Sequence, residues 1–183
     1  MKKKYVCALM VLGLLVVSTQ EIFGQRSYLS VAFNPSYRTN GYGLNLLVNH
    51  YHNSTDYWHV SLAMVTSTEQ PDSSIEFPYT DYLMNLGYFK TVLSRPNRGF
   101  YIYAGGGLSG GYEYINNGES FAKFGYVVPE SGMLYGIFAS FEIDFYLTDA
   151  LSFYVPTTAY YHFSSQVDES FVLVGAGVRY FFK

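Results

Sequence analysis

Met133–Leu147 reads MLYGIFASFEIDFYL and alternates with a period of two. Tyr135, Ile137, Ala139, Phe141, Ile143 and Phe145 fall on one face. Gly136, Ser140, Glu142, Asp144 and Tyr146 fall on the other, with Phe138 the one bulky apolar exception. Successive side chains of an extended chain point to opposite sides, so the segment is a β-strand with one apolar face and one small or charged face. Phe171–Phe182 repeats the pattern, with Val172, Val174, Ala176, Val178, Tyr180 and Phe182 set against Gly175, Gly177 and Arg179. Tyr42, Leu44, Leu46 and Val48 oppose Gly43, Asn45 and Asn49, and Trp58, Val60, Leu62 and Met64 oppose His59, Ser61 and Ala63. Extending the reading predicts eight strands: Arg26–Phe33, Gly41–His52, Asp56–Ser67, Thr80–Leu93, Arg98–Tyr114, Met133–Leu147, Leu151–His162 and Phe171–Phe182.

Periodicity does not say which face meets water. A soluble barrel would turn the bulky face inward, overfilling its interior with aromatics and leaving Gly43, Ser140 and Gly177 on the surface. The reverse suits an eight-stranded lumen, which is narrow and filled by small side chains and a few paired charges. The apolar face then meets lipid, where Lys or Arg at mid-depth costs about 2–4 kcal/mol. The proposed lipid faces of the second, third, sixth and eighth strands carry no charge. The expected fold is therefore all-β: an eight-stranded antiparallel up-and-down transmembrane β-barrel in a bacterial outer membrane, with surrounding lipid as its first partner.

The connections agree. With both termini in the periplasm, the inner turns are His52–Asp56, Ser94–Asn97 and Thr148–Ala150, and the outer loops are Asn34–Asn40, Thr68–Tyr79, Ile115–Gly132 and Phe163–Ser170. Short turns alternating with longer loops typify such barrels. Tyr42, Tyr82 and Tyr135 then mark an outer aromatic belt. Trp58 and Tyr88, with Phe145, Tyr180 and Phe182, mark an inner one.

The first residues are set aside as a cleaved targeting segment. Lys2, Lys3 and Lys4 precede the uncharged stretch Tyr5–Val17, too short to cross hydrocarbon as a helix, and a cut after Gly24 leaves residues 25–183 as the barrel. The sole cysteine, Cys7, leaves with it, so the mature chain has no thiol chemistry. Without Lys2, Lys3, Lys4 and Glu21 there remain 8 basic and 13 acidic residues, an acidic chain poorly suited to hold nucleic-acid phosphates. The acids gather in the outer loops, as Glu69, Asp72, Glu76, Glu119, Glu130, Asp168 and Glu169 against Arg38 and Lys123. The inner rim carries Arg26, Arg95, Arg98 and Lys183 against Asp56 and Asp149.

Several motifs bear on chemistry. Gly105–Gly110, GGGLSG, matches a dinucleotide fingerprint, but that motif needs a following helix and here the strand alternation continues. The glycines are read as relief of crowding in the lumen. His50 and His52, with His59 beyond the turn, lack a carboxylate to complete a metal site. His162 with Ser164 or Ser165 is the nearest arrangement to a lipid-modifying centre and lacks a third group. Glu142, Asp144 and Arg179 share the lumen face and are expected to pair as a structural ion cluster. Neither a cofactor nor a small-molecule substrate is implied.

The second half of the chain resembles the conjugal transfer protein TraO family of Bacteroides-type conjugative transposons. The resemblance is carried by GGGLSGGYEYINNGE at Gly105–Glu119, LYGIFASFEIDFYLTDAL at Leu134–Leu151 and GAGVRYFF at Gly175–Phe182. Asp56-Tyr57-Trp58, Tyr79–Phe89 and Gln25-Arg26 look similar too, whereas Leu29–Arg38 does not align and Pro156 interrupts strand seven. Gly177, Tyr180 and Phe182 also resemble the C-terminal signal read by barrel-assembly machinery. The resemblance implies an outer-membrane or envelope component of a DNA-transfer apparatus, and no catalytic residues are carried over from it. The chain is accordingly read as a non-enzymatic barrel that anchors or docks other proteins of that apparatus at the outer membrane. A lipid-modifying enzyme and a general adhesion barrel are the alternatives, and neighbouring genes would separate them from the first reading. A closed barrel of this kind is expected to shift its gel mobility in detergent on boiling. Identical migration before and after, with helical circular dichroism, would exclude it.

Overall fold

A computed structural model describes residues 28–52, 55–95 and 99–182. The targeting segment, Arg26, Asn97, Arg98 and Lys183 lie outside the described residues. Nine strand segments follow one another: β1 Leu29–Arg38, β2 Gly41–Tyr51, β3 Tyr57–Asp72, β4 Ile75–Arg95, β5 Phe100–Ile115, β6 Gly132–Tyr146, β7 Leu151–His162, β8 Ser170–Gly175 and β9 Gly177–Phe181. From β1 to β7 each pairs antiparallel with the next, and β8 and β9 both pair antiparallel with β7 on one side and β1 on the other, closing the sheet into a barrel. The row Leu29, His50, Trp58, Tyr88, Gly106, Ala139, Ala159, Val172 starts at one end of β1. It comes back close to Val174, which pairs with Tyr37 at the other end of β1. Such an offset tilts the strands against the barrel axis.

β8 and β9 are one strand in one register, the predicted eighth, interrupted at Ala176. The reason lies across the seam. Ala176 N–H donates to Pro35 O at 3.2 Å, but proline has no N–H to return the bond. On the other side, pairing with β7 lapses between Tyr154↔Gly177 and Thr157↔Val174, the interval that contains Pro156. Gly175 and Gly177 let β1 lie close. A Cβ at Gly177 would sit 2.3 Å from Phe33 O and one at Gly175 2.6 Å from Asn34 Nδ2.

The inner and outer faces follow the alternation. Ser140 is buried while Phe141 is exposed, and Leu46, Leu62, Met84, Leu108 and Ile137 all lie bare on the outer wall. The interior, expected to be mostly small side chains, is richer in rings: Tyr51, Tyr57, Phe89, Tyr103, Phe138, Tyr160, Phe171 and Phe181 are buried together. The glycines of β4 and β5 make this possible. A Cβ at Gly105 would lie 2.4 Å from the Phe89 ring and one at Gly87 2.7 Å from that of Phe138. The GGGLSG stretch thus sits mid-strand in β5, clearing space for the lumen aromatics.

Three boundaries differ from expectation. β1 continues through Asn34–Arg38, predicted as loop, and turns over Thr39 and Asn40, with Asn40 at a φ of 58°. The Thr68–Tyr79 loop is instead a continuation of the β3–β4 hairpin, with Thr68 opposite Pro78, Glu69 opposite Phe77 and a bulge before Asp72–Ile75. At the opposite end β4 reaches Arg95 through a bulge between Thr91 and Leu93.

Phe141→Lys is expected to abolish membrane assembly, since it sets a charge on the lipid face at a cost of about 2–4 kcal/mol. Ser140→Ala should assemble normally, losing only hydroxyl contacts with Thr158 Oγ1 at 2.8 Å and Thr157 O at 3.3 Å. Membrane fractionation of both variants checks this, and the opposite pattern would mean inverted faces.

Candidate functional site

Any function of this fold must use the lumen or one of the two ends. Near the end where β1 begins and β9 stops, Arg179 of β9 points inward, fully buried, and meets two carboxylates of β6. Its Nη1 lies 2.5 Å from Asp144 Oδ2 and its Nη2 2.5 Å from Glu142 Oε2. Glu142 and Asp144 stand two apart on one strand and so share a face, and the register of β6, β7 and β9 sets Ser152 beside both Asp144 and Arg179. One guanidinium between two carboxylates leaves an excess negative charge. Hydroxyl donors offset it: Tyr57 donates to Glu142 Oε2 at 2.7 Å and Ser152 to Asp144 Oδ1 at 3.3 Å. Arg179 also lies over the Tyr154 ring, 4.5 Å from its centroid, and Tyr154 donates to Asn34 at 2.6 Å. Charge-assisted bonds of this kind are what make a buried ion tolerable.

Above the ions the lumen is closed by rings and amides. Tyr57 stacks on Phe89 with centroids 5.0 Å apart, and Tyr160 stacks on Phe171 at 4.9 Å. His59 bonds Asn49 at 3.0 Å, and Asn85 donates to Ser61 and to the Tyr160 hydroxyl at 3.0 and 3.2 Å. These groups come from β2, β3, β4 and β7 and meet across the barrel. They occupy the lumen between the ion cluster and the loop end, as the narrow interior of a small barrel requires.

The mouth at the loop end is capped. Arg38, counted with the surface charges in the sequence, is buried instead. It pairs with Asp168 at 2.5 Å, donates to the Tyr79 hydroxyl at 2.9 Å and covers the Phe171 ring at 4.2 Å. Glu113 of β5 accepts from Ser165 Oγ at 2.6 Å and from Gln166 N–H at 2.9 Å. These two anchors, on opposite walls, hold the β7–β8 loop over the lumen. Phe77, Tyr79, Ile115 and Val128 form a separate small core here, joined by Ala122, Tyr126 and Val167. The extended β3–β4 hairpin and both long loops therefore pack as one headpiece.

The remaining residues singled out in the sequence are dispersed. His50 and His52 are exposed and His59 points into the lumen, so the three do not converge. Ser165 is engaged with Glu113, and Ser164 donates to Met133 O at 3.0 Å. His162 is buried beside Tyr160 and Phe171, and neither ring nitrogen has a hydrogen-bond partner among the described residues. Tyr42, Tyr82 and Tyr135 stand exposed at the loop end of the outer wall. Trp58 and Tyr88 meet edge-on at the other end, 5.0 Å apart, as do Tyr180 and Phe182 at 5.2 Å. Sequence reasoning missed Asp81 and Glu113, directly opposed and buried in the upper lumen. Their parity with Asn85 and Ser109 was the available signal.

A family model described as "Conjugative transposon protein TraO" matches residues 21–182. No curated protein sequence matches significantly. Among solved structures, the outer membrane protein OprG of Pseudomonas aeruginosa is similar with a TM-score of 0.58 at 10% identity, over 88% of this chain and 99% of that one. The N-terminal β-barrel domain of Pseudomonas aeruginosa OprF gives 0.57 at 12% identity, over 87% and 99%. Neisserial surface protein A gives 0.57 at 14%, over 84% and 94%. At these identities the likeness is one of fold, that of outer-membrane β-barrels.

Replacing Arg179 by Met strands two buried carboxylates and is expected to destabilise the barrel by about 3–5 kcal/mol. Adding Glu142→Leu and Asp144→Leu should recover most of that loss. Unfolding in denaturant, followed by Trp58 fluorescence and gel mobility, checks both. A single variant as stable as the parent would mean the cluster is not ion-paired.

Proposed function

The chain belongs to the conjugative transposon TraO family, and from that membership we propose that it is a non-enzymatic outer-membrane component of a conjugative DNA-transfer apparatus, acting by anchoring and protein docking. The observation that carries this reading is the lumen, filled from the Arg179 ion cluster up to the loop held by Arg38 and Glu113. A barrel whose narrow lumen is taken up by side chains is read as working through its ends.

The apolar outer wall supports insertion in the outer membrane, where closure leaves no strand edge in hydrocarbon. In this reading the loop end faces outward and both termini lie in the periplasm. Tyr42, Tyr82 and Tyr135 anchor the outer interface, and Trp58 and Tyr88 the inner one. Gly177, Tyr180 and Phe182 serve as the assembly signal, the two rings outward and Gly177 against β1. The partners are other proteins of the apparatus, not DNA. With Arg38 consumed by Asp168, the outer end is more uniformly acidic than the charge count alone implied, and phosphates would be repelled. The lipid-modifying alternative gains no support, because the hydroxyls of Ser164 and Ser165 are both donated elsewhere.

Donor cells lacking the chain should transfer DNA poorly and recover with the wild-type copy. The mild-detergent extract should show the barrel migrating with other apparatus proteins on a native gel. Unchanged transfer by the deletion, or a barrel that migrates alone, would remove the docking role. DNA binding by the purified barrel that weakens with added salt would replace it.

A further inference from the structure

The headpiece bares a surface that the fold itself does not require. Phe121 and Val127 are antiparallel bridge partners in the loop after β5. Ala122 N–H donates to Tyr126 O at 2.8 Å and Val128 N–H to Ser120 O at 3.2 Å, making a short ribbon. Opposed residues of a bridge project to one side and their neighbours to the other. Ala122, Tyr126 and Val128 form the side packed against Phe77, Tyr79 and Ile115. Phe121 and Val127 form the other, and are 60% and 67% exposed.

Lipid does not account for the pair. Phe77 and Tyr79 are buried on the lumen side of β4 while Glu76 and Pro78 are exposed. The ribbon therefore lies over the barrel mouth, with its free face turned from the lipid-facing wall. Nor is the pair the accident of a loose loop. Asn116 Nδ2 donates to both Glu119 O and Phe121 O at 3.0 Å, and Ser131 Oγ accepts from Ile115 N–H at 2.9 Å. A projecting apolar pair on a fixed backbone is pre-organised for contact and loses little freedom on binding.

The surroundings specify what could cover it. Asp72, Glu76, Glu119, Glu130 and Glu169 are exposed at this end, and Lys123 is the only exposed cation among its described residues. We propose that Phe121 and Val127 are the apolar knob of a protein-docking surface whose partner presents an apolar socket rimmed by Lys or Arg. The inference rests on the docking reading above and deepens it by naming the contact and the chemistry that fits it. The acids steer a basic partner and repel phosphate-rich surfaces, while the knob supplies the desolvated centre.

The test uses the full chain in donor cells, with a photo-crosslinking phenylalanine at position 121 and, as control, at the outward-facing position 37. Irradiated mating mixtures should give a protein adduct from 121 and none from 37. That adduct should fall several-fold when Glu76→Lys, Glu119→Lys and Glu130→Lys are combined. Phe121→Ser with Val127→Ser should leave heat-modifiable assembly intact and lower transfer about tenfold or more, as loss of an interface centre does. Adducts to lipid or to a second copy of this chain, adducts indifferent to charge reversal, or wild-type transfer by the double variant would each overturn the knob. If the wild-type barrel still migrates with its apparatus in those cases, the docking reading survives. A wild-type barrel that migrates alone defeats that reading by itself.

Discussion

The hydrogen-bond circuit that returns from β8 and β9 to β1 is the constraint on which the rest depends. In hydrocarbon each unpaired N–H or C=O costs several kcal/mol, so a sheet placed there must have no edge. Closing it with eight strands makes a narrow interior that side chains must fill. The filling in turn explains residues far apart in the chain. Phe89 and Phe138 occupy space that Gly105 and Gly87 leave open. Glu142 and Asp144 are tolerable because Arg179, Tyr57 and Ser152 reach them from three other strands.

The two ends of the filled barrel are built differently. At the loop end the β3–β4 hairpin outgrows its neighbours and carries a core of its own. At the terminal end Asp56 accepts from Thr91 N–H at 3.0 Å and the bulge after Thr91 bends β4, both of which blunt the strand edge left where β3 stops pairing. One end carries an added packed layer, and the other is protected against adventitious pairing.

How much of this was legible depended on whether a face was exposed to one solvent throughout. β6 and β7 were readable to within a residue because every outward position meets the same medium. The hairpin extension was not, because Thr68–Asp72 is polar on both sides once it leaves that medium, and Pro71 and Pro78 read as loop. β1 was hidden by Pro35. The lumen ions were visible from parity alone, since Glu142, Asp144 and Arg179 all fall on inward positions. Their supporting phenols, Tyr57 and Tyr154, needed the three-dimensional register. Arg38 was misjudged because its partner Asp168 lies 130 residues away, across the barrel's closing strands.

The last strand carries more than its alternation. Shifting it by one residue would turn Arg179 out into lipid. Shifting it by two would restore the faces, yet set Leu173 or Arg179 against β1 where Gly175 or Gly177 now stands, at positions whose Cβ would meet Asn34 or Phe33. Only the observed alignment keeps both glycines at these close approaches and Arg179 within reach of Glu142 and Asp144. Two small residues and one charge thus encode, as a key does for its lock, where the first and last strands of the chain must meet.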